Sequence, residues 1–165
     1  MNGPYWIGLK FYNAQWKWVE SGLEANFTYW EEGYPIDYLE PRYCVLINFG
    51  RGEDGHWENA ICEIIKRILC EKTLSSNIPK TPIMSTTTTT YETVTTTTTT
   101  SPNTIPNNGC TSPWVKILDS CYLSHSNGHV NNSWDDSKKF CQEQNGYLIE
   151  VNTKEEQDAL TGEGI

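Results

Sequence analysis

The sequence predicts a small mixed fold, with short strands in the first part of the chain and two helices in the last part. Trp16 and Trp18 lie two residues apart, so on a strand both rings would occupy one face and Lys17 the other. Two capping-box patterns, Ser133–Asp136 and Thr153–Glu156, each indicate the start of a helix. A threonine-rich segment lies between the two parts and cannot form a core of its own.

The first block, residues 1–72, is dense in aromatic residues and in residues that end regular structure. We expect short strands joined by long connections, beginning with the run Tyr5–Leu9 and continuing through the Trp16/Trp18 pair. No helix is expected after Val19, because glycines and prolines are frequent there: Gly22, Gly33, Gly50, Gly52, Gly55, Pro35 and Pro41.

The last block, residues 107–165, opens with a hairpin-sized span from Cys110 to Cys121. The helix that Ser133 caps should run to Gln144 and stop at Asn145-Gly146. Between the two predicted helices, the segment 148–151 reads as a short buried strand or an extended link.

Residues 73–106 form the predicted linker, which contains the pure threonine runs Thr86–Thr90 and Thr95–Thr100. A stretch rich in Thr, Ser and Pro is typical of an extended, O-glycosylated, mucin-like spacer. The alternative is an unmodified disordered tether, and the composition is compatible with both.

The chain has 165 residues and a formal net charge of −9. An acidic surface repels phosphate groups, so neither nucleic acid nor an anionic membrane is an expected partner. No apolar run is long enough to span a bilayer. Met1–Pro4 lacks the features of a signal peptide, whereas the six cysteines favour an oxidising compartment. We therefore expect a fragment or gene model whose true start lies upstream.

Each block carries an ordered set of aromatic, cysteine and glycine residues. In the first block these are Trp6-Ile-Gly-Leu9, Trp16/Trp18 with Gly22, Tyr29-Trp30, Cys44-Val45, Trp57 five residues before Cys62, and Cys70-Glu71. In the last block they are Cys110, Trp114, Cys121-Tyr122, Trp134, Cys141, Gly146, Leu148 and Val151. With these residues both blocks resemble halves of one known family, the C-type lectin-like domain. The resemblance to its C-terminal half covers nearly all of residues 4–72, and the resemblance to the N-terminal half of its long form covers residues 109–160.

This resemblance implies a compact α+β fold with two helices, a small antiparallel sheet, and a long loop region that carries the ligand site. It also implies the disulfides Cys44–Cys62 and Cys110–Cys121. The family's third bridge would join Cys70 to Cys141, which here lie in opposite blocks. We therefore expect the two halves to assemble as one permuted domain with a disordered linker. The alternative is that each half belongs to a different tandem domain.

Sugar-binding members of the family hold a calcium ion in the long loop with carboxylate and amide oxygens. At the matching positions this chain has Tyr34, Ile36 and Arg42, so the usual calcium site is expected to be lost. The remaining oxygen donors are Asp37, Glu40, Glu58 and Asn59, which are weak candidates for a shifted site and equally read as ordinary loop residues. Calcium is therefore not an expected cofactor.

No pattern of residues predicts catalysis. His125 and His129 flank Asn127-Gly128, which favours a turn over a metal-binding helix, and no nucleophile motif occurs. N-glycosylation sequons begin at Asn26 and Asn131.

We interpret the chain as a secreted or cell-surface recognition module that binds glycans, and not as an enzyme. One alternative is a calcium-independent module that binds proteins in adhesion or immune recognition. A second alternative is a non-functional gene fragment.

Overall fold

The computed structural model of the protein describes residues 3–36, 43–50, 53–74, 109–125 and 132–162. In these ranges the first block contributes five strands, and the last block contributes three strands and two helices. In chain order the elements are β1 (Gly3–Tyr12), β2 (Gln15–Trp18), β3 (Cys44–Gly50), β4 (Glu53–Ala60), β5 (Arg67–Thr73), β6 (Val115–Ile117), β7 (Ser120–His125), α1 (Trp134–Glu143), β8 (Tyr147–Leu148) and α2 (Lys154–Gly162).

All the strands of the described residues belong to one sheet, whose main path has the order β4-β3-β1-β5-β7-β6. Off this path, β2 pairs with β1 and β8 pairs with β5. The β1–β5 pair is parallel and the other pairs are antiparallel. The two blocks meet at the β5–β7 pair, where Ile68 lies opposite His125 and Thr73 opposite Ser120. The sheet therefore continues without interruption from one block into the other.

Both helices begin where the sequence predicts. At the start of α1 the Ser133 hydroxyl accepts a hydrogen bond from the Asp136 backbone N–H at 3.2 Å. At the start of α2 the Thr153 hydroxyl accepts one from the Glu156 N–H at 3.1 Å. Each bond satisfies a backbone donor that the first helical turn leaves without a partner. Asn145, just beyond α1, has the positive φ of 57° that is common after a helix end.

The core is shared between the blocks, because each of its two buried clusters draws residues from both. Three buried tryptophans also form hydrogen bonds that join one block to the other. Trp6 Nε1 donates to the Asn132 carbonyl at 2.9 Å, and Trp134 Nε1 donates to the Ile7 carbonyl at 2.8 Å. Trp57 Nε1 donates to Gln157 Oε1 at 3.0 Å. Neither block could satisfy these indole groups alone, so the two blocks form one domain.

Three disulfides join the pairs that the resemblance implies. Cys70 and Cys141 lie in opposite blocks with their α-carbons 5.4 Å apart, well within the reach of a disulfide. The expected permuted assembly is confirmed by this bridge and by the shared sheet.

Two described residues that flank the linker segment lie next to each other. The Leu74 N–H donates to the Asp119 carbonyl at 3.4 Å, and the Leu74 side chain reaches Gly109, where an added Cβ would lie 3.2 Å from it. Leu74 and Gly109, the described residues on either side of the segment 75–108, are therefore neighbours.

Two strand expectations are refined by the structure. β1 has ten residues and is longer than the short strands expected for the first block, because after Trp6 it continues as the partner of β2. The segment 148–151 was expected to be either a short buried strand or an extended link, and it contains both. Leu148 is the last residue of β8, and residues 149–151 form a buried link after it.

Candidate functional site

The candidate site lies where the chain enters the loop that the resemblance identifies as the ligand region. The backbone of Ile36 is held there by the side chain of Asn59 on β4. The Ile36 N–H donates to Asn59 Oδ1 at 2.7 Å, and Asn59 Nδ2 donates to the Ile36 carbonyl at 2.8 Å. Asn59 is only 2% exposed. This buried amide therefore fixes the position at which the loop begins.

Glu58 is the neighbour of Asn59 on β4, and it has a different partner. Its Oε1 accepts a hydrogen bond from Asn48 Nδ2 on β3 at 2.8 Å. Successive side chains on a strand point to opposite faces, and these two contacts follow that alternation. The structure thus places Glu58 and Asn59 side by side in the chain but binds them to separate groups.

A short segment before the loop packs on β4 and supports the site. The Glu31 N–H donates to the Trp57 carbonyl at 2.9 Å, and the Trp57 N–H donates to the Tyr29 carbonyl at 2.7 Å. The Trp30 ring meets the Trp57 ring edge-on, with centroids 5.9 Å apart. Tyr29 stacks on His56 at 4.6 Å, and His56 Nδ1 lies 3.3 Å from a Glu31 carboxylate oxygen.

The described donors do not fit a calcium ion. Such an ion prefers at least six oxygen ligands that converge on one point. Tyr34 and Ile36 bring no carboxylate or amide side chain to the site, and Asn59 Oδ1 and one Glu58 oxygen, Oε1, already accept internal hydrogen bonds. In the described ranges, no group of three or more His, Cys, Asp or Glu residues is arranged to hold a metal. The remaining predicted site residues, Asp37, Glu40, Arg42 and the sequon residue Asn131, lie outside the described residues.

An aromatic surface that the sequence analysis did not identify lies beside the β1–β2 hairpin. We define it by Phe11, Trp16 and Tyr43. Phe11 packs on Trp16 at 5.0 Å and stacks on Tyr43 at 6.3 Å. Tyr43 is 46% exposed. Tyr12, which is 65% exposed, follows Phe11 on the same strand, so its side chain lies on the opposite face and outside this surface.

Two further observations concern the kind of ligand and the membrane. A cleft between Val19 and Lys138 encloses only about 10 Å³, which is far smaller than a typical small-molecule pocket. Among the described residues, no helix combines the length and the apolar character needed to cross a bilayer.

Comparison with known proteins supports a single family. The sequence model of the family described as "Lectin C-type domain" matches residues 2–72 and 130–163, which together are well over half of the chain. Over 77 residues the chain is 35% identical to asialoglycoprotein receptor 1 of Rattus norvegicus, which covers 42% of this chain and 25% of the receptor. No solved structure gave a significant match to the chain.

Two other relatives lie at similar distances. The C-type lectin lectoxin-Phi1 of Philodryas olfersii is 32% identical over 68 residues, covering 40% of this chain and 42% of the lectoxin. The human C-type lectin domain family 4 member C is 30% identical over 73 residues, covering 42% of this chain and 33% of that protein. The chain spans less than half the length of each of these relatives. Because the family model accounts for both blocks of one shared domain, the chain belongs to the C-type lectin family.

Proposed function

We propose that this protein is an extracellular recognition module that binds glycans through the surface around Ile36 and Glu58, and that it has no catalytic role. The observation that carries the proposal is the family match to both blocks, together with a loop entrance that Asn59 holds in a fixed position. A rigid site loses less entropy when a ligand binds. The name of the rat relative gives asialoglycoproteins as its ligands. Glycoproteins without terminal sialic acid are therefore the first ligands to test.

A glycan array probed with the full chain, with calcium and with chelator, tests this proposal. We expect the same glycans to be bound under both conditions, because Glu58 and Asn59 are held by internal hydrogen bonds. Asn59→Ala should lower binding at least tenfold, since it removes both contacts to Ile36. The matched control is Glu63→Ala on the exposed segment after Cys62. Failure to bind any glycan under either condition would exclude the glycan proposal.

The aromatic surface favours a second candidate, calcium-independent recognition of a protein. Tyrosine is enriched at protein interfaces, where its ring contributes area and its hydroxyl contributes a hydrogen bond. Tyr43 is 46% exposed on this surface. If the array is negative, Tyr43→Ala should weaken capture of a cell-surface partner, whereas Tyr12→Ala, at an exposed tyrosine on the opposite face of β1, should not.

Calcium is expected to leave the thermal stability of the protein unchanged. A ligand that binds only the folded state raises the apparent stability once its concentration exceeds the dissociation constant. The melting temperature in millimolar calcium and in chelator should therefore agree within about 1 °C. A clear rise with calcium would contradict this prediction and would point to Glu58, Asn59, Asp37 and Glu40.

Asn26 is expected to carry an N-linked glycan when the protein is made in a secretory pathway. Asn26 and Thr28 of its sequon are both exposed, so the acceptor is accessible. Glycosidase treatment should increase the gel mobility of the secreted protein, and Asn26→Gln should remove a corresponding part of that change. Asn131→Gln, at the other sequon, serves as the parallel variant. An unmodified Asn26 in secreted protein would contradict the prediction.

A further inference from the structure

Gln157 on α2 is a buried polar residue whose side-chain amide reaches across to β4 of the first block. It is only 1% exposed. Its Oε1 accepts a hydrogen bond from Trp57 Nε1 at 3.0 Å, and its Nε2 donates to the Gly55 carbonyl at 3.0 Å. One side chain of the second block is therefore bound at two points on the strand that carries Asn59.

These two points lie at an irregular step of the sheet. The β3–β4 register shifts between Ile47 and Phe49, and Gly55 lies opposite this shift with a positive φ of 75°. Such a shift redirects the side chains that follow it on the strand. Gln157 binds Gly55 within the step and Trp57 where regular pairing resumes. The amide therefore fixes the register of the part of β4 that follows.

The helix packs on the backbone of β4 without space for a side chain at position 55. An added Cβ at Gly55 would lie 2.6 Å from Thr161 Cγ2, and it would also collide with Gln157 Nε2. The contact between α2 and β4 is therefore a direct one between helix side chains and strand backbone.

Trp57 connects this contact to the candidate site. Trp57 and Asn59 lie two residues apart on β4, so their side chains share one face of the strand, and both are buried. Asn59 holds the Ile36 backbone through two hydrogen bonds. The Trp57 backbone also binds Tyr29 and Glu31, which lie in the segment that leads to Ile36. A change in the position of Trp57 would therefore displace the loop entrance from two directions.

A second group of polar contacts between the blocks lies on other strands. Glu71 of β5 is 5% exposed, and it accepts from Ser120 Oγ at 2.7 Å and from the Glu150 N–H at 3.2 Å. These contacts attach β5 to β7 and to the link after β8. They belong to the joint between the blocks but not to the contact between α2 and β4, so they provide a control for effects of the joint alone.

We propose that Gln157 is a positioning residue of the ligand region. It fixes the register of β4 so that Asn59 holds Ile36, and the second block thereby completes a site that lies in the first. The positioning of Ile36 depends only on contacts within the protein, whereas its effect on ligand binding rests on the proposed glycan function. By thermodynamic linkage, a ligand that requires the fixed loop entrance also strengthens the attachment of α2 to β4.

The test measures hydrogen exchange at the Ile36 N–H by NMR in the full chain, for the wild type and for Gln157→Met. Methionine is close to glutamine in length, but its thioether cannot donate to the Gly55 carbonyl and is only a weak acceptor for Trp57 Nε1. We expect the Ile36 N–H to exchange about tenfold faster in Gln157→Met, because β4 loses two internal hydrogen bonds and Asn59 is held less firmly.

Two control variants separate this role from a general loss of stability. Ser120→Ala removes a donor to Glu71 at the joint, and Glu155→Gln changes an exposed residue of α2. Both should leave the exchange of the Ile36 N–H within about twofold of the wild type, because they leave the contacts of β4 in place. Unchanged exchange at Ile36 in folded Gln157→Met, or an equal rise in Ser120→Ala, would overturn the proposal.

Binding of a sialidase-treated glycoprotein measures the consequence for the ligand. If the wild type binds it, Gln157→Met should weaken binding about tenfold and Ser120→Ala should not. Equal affinities of the wild type and Gln157→Met would contradict the role of Gln157 in binding. If the wild type binds no such glycoprotein, the glycan function fails, and the exchange at Ile36 still decides whether Gln157 positions the loop entrance.

If Gln157→Met does not fold, native-state hydrogen exchange of the wild type at increasing denaturant decides the question. Opening of α2 should release β4, so the Ile36 N–H and the Trp57 indole N–H should lose protection no later than the Leu160 N–H of α2. An Ile36 N–H that stays protected after the Leu160 N–H has exchanged would show that the loop entrance does not depend on α2, and the proposal would be wrong.

Discussion

Removing the Cys70–Cys141 bridge with the paired substitutions Cys70→Ala and Cys141→Ala is expected to lower the free energy of unfolding by about 4 kcal/mol. The two cysteines are separated by 71 positions in the sequence, and a bridge that closes so long a loop restricts the unfolded chain strongly. The matched control removes Cys110–Cys121, whose separation is 11 positions and whose loss should cost about 3 kcal/mol. Denaturant unfolding of the three proteins measures both differences.

Cutting the linker separates the contribution of the bridge from that of the linker itself. When a protease site inserted near residue 90 is cut, the wild-type product should stay folded. On a gel it should run as one species without reductant and as two species with reductant. In the variant without Cys70–Cys141, the same cut removes the last covalent connection, so folding should become dependent on protein concentration. Two pieces that separate from the cut wild type under oxidising conditions would contradict the observed bridge.

Gly8→Ala should destabilise the protein by about 3 kcal/mol, because β1 crosses the second block at this glycine without space for a side chain. A Cβ there would lie 2.8 Å from the Leu148 carbonyl oxygen and 3.2 Å from that of Ile149. The Gly8 N–H also donates to the Ile149 carbonyl at 2.8 Å, so the strand cannot move away without losing a hydrogen bond. Thermal unfolding gives the measurement.

Gly162→Ala is the control for this substitution. Gly162 is the last residue of α2, and an added Cβ would meet nothing within 4 Å. Alanine also favours a helix over glycine, so this variant should keep or slightly raise the stability. If both substitutions lowered the stability equally, the close approach of Gly8 to β8 would not be the cause of the loss.

Local features of the fold could be predicted from the sequence because each depends on a few neighbouring residues. Ser133 and Thr153 mark the helix starts, since a side-chain oxygen there satisfies a backbone donor three residues later. The spacing of Trp16 and Trp18 likewise indicated that both rings share one face of β2, and both pack in the same core cluster. The pairing of β5 with β7 has no such local signal, and only the resemblance to a known family implied that the two halves belong together.

The candidate site was predicted less completely. The sequence shows directly that Tyr34 and Ile36 replace acidic and amide side chains. It does not show that Asn59 supports the loop entrance. A buried asparagine and an exposed one look the same in a sequence. Glu71 was missed for the same reason, although it shares the alternation of β5 with Leu69, which is fully buried. Glutamate at a core-facing strand position is a signal that could have identified it.

Because Leu74 and Gly109 are neighbours, the domain should tolerate insertions between them. An insertion there requires no change in the body, and the entropic cost of closing the loop rises by only about 0.6 kcal/mol for each doubling of its length. A longer segment, or a whole folded unit inserted between these residues, is expected to leave the shared core as it is. Variation in length can accumulate in this segment while the sheet and the three bridges remain unchanged.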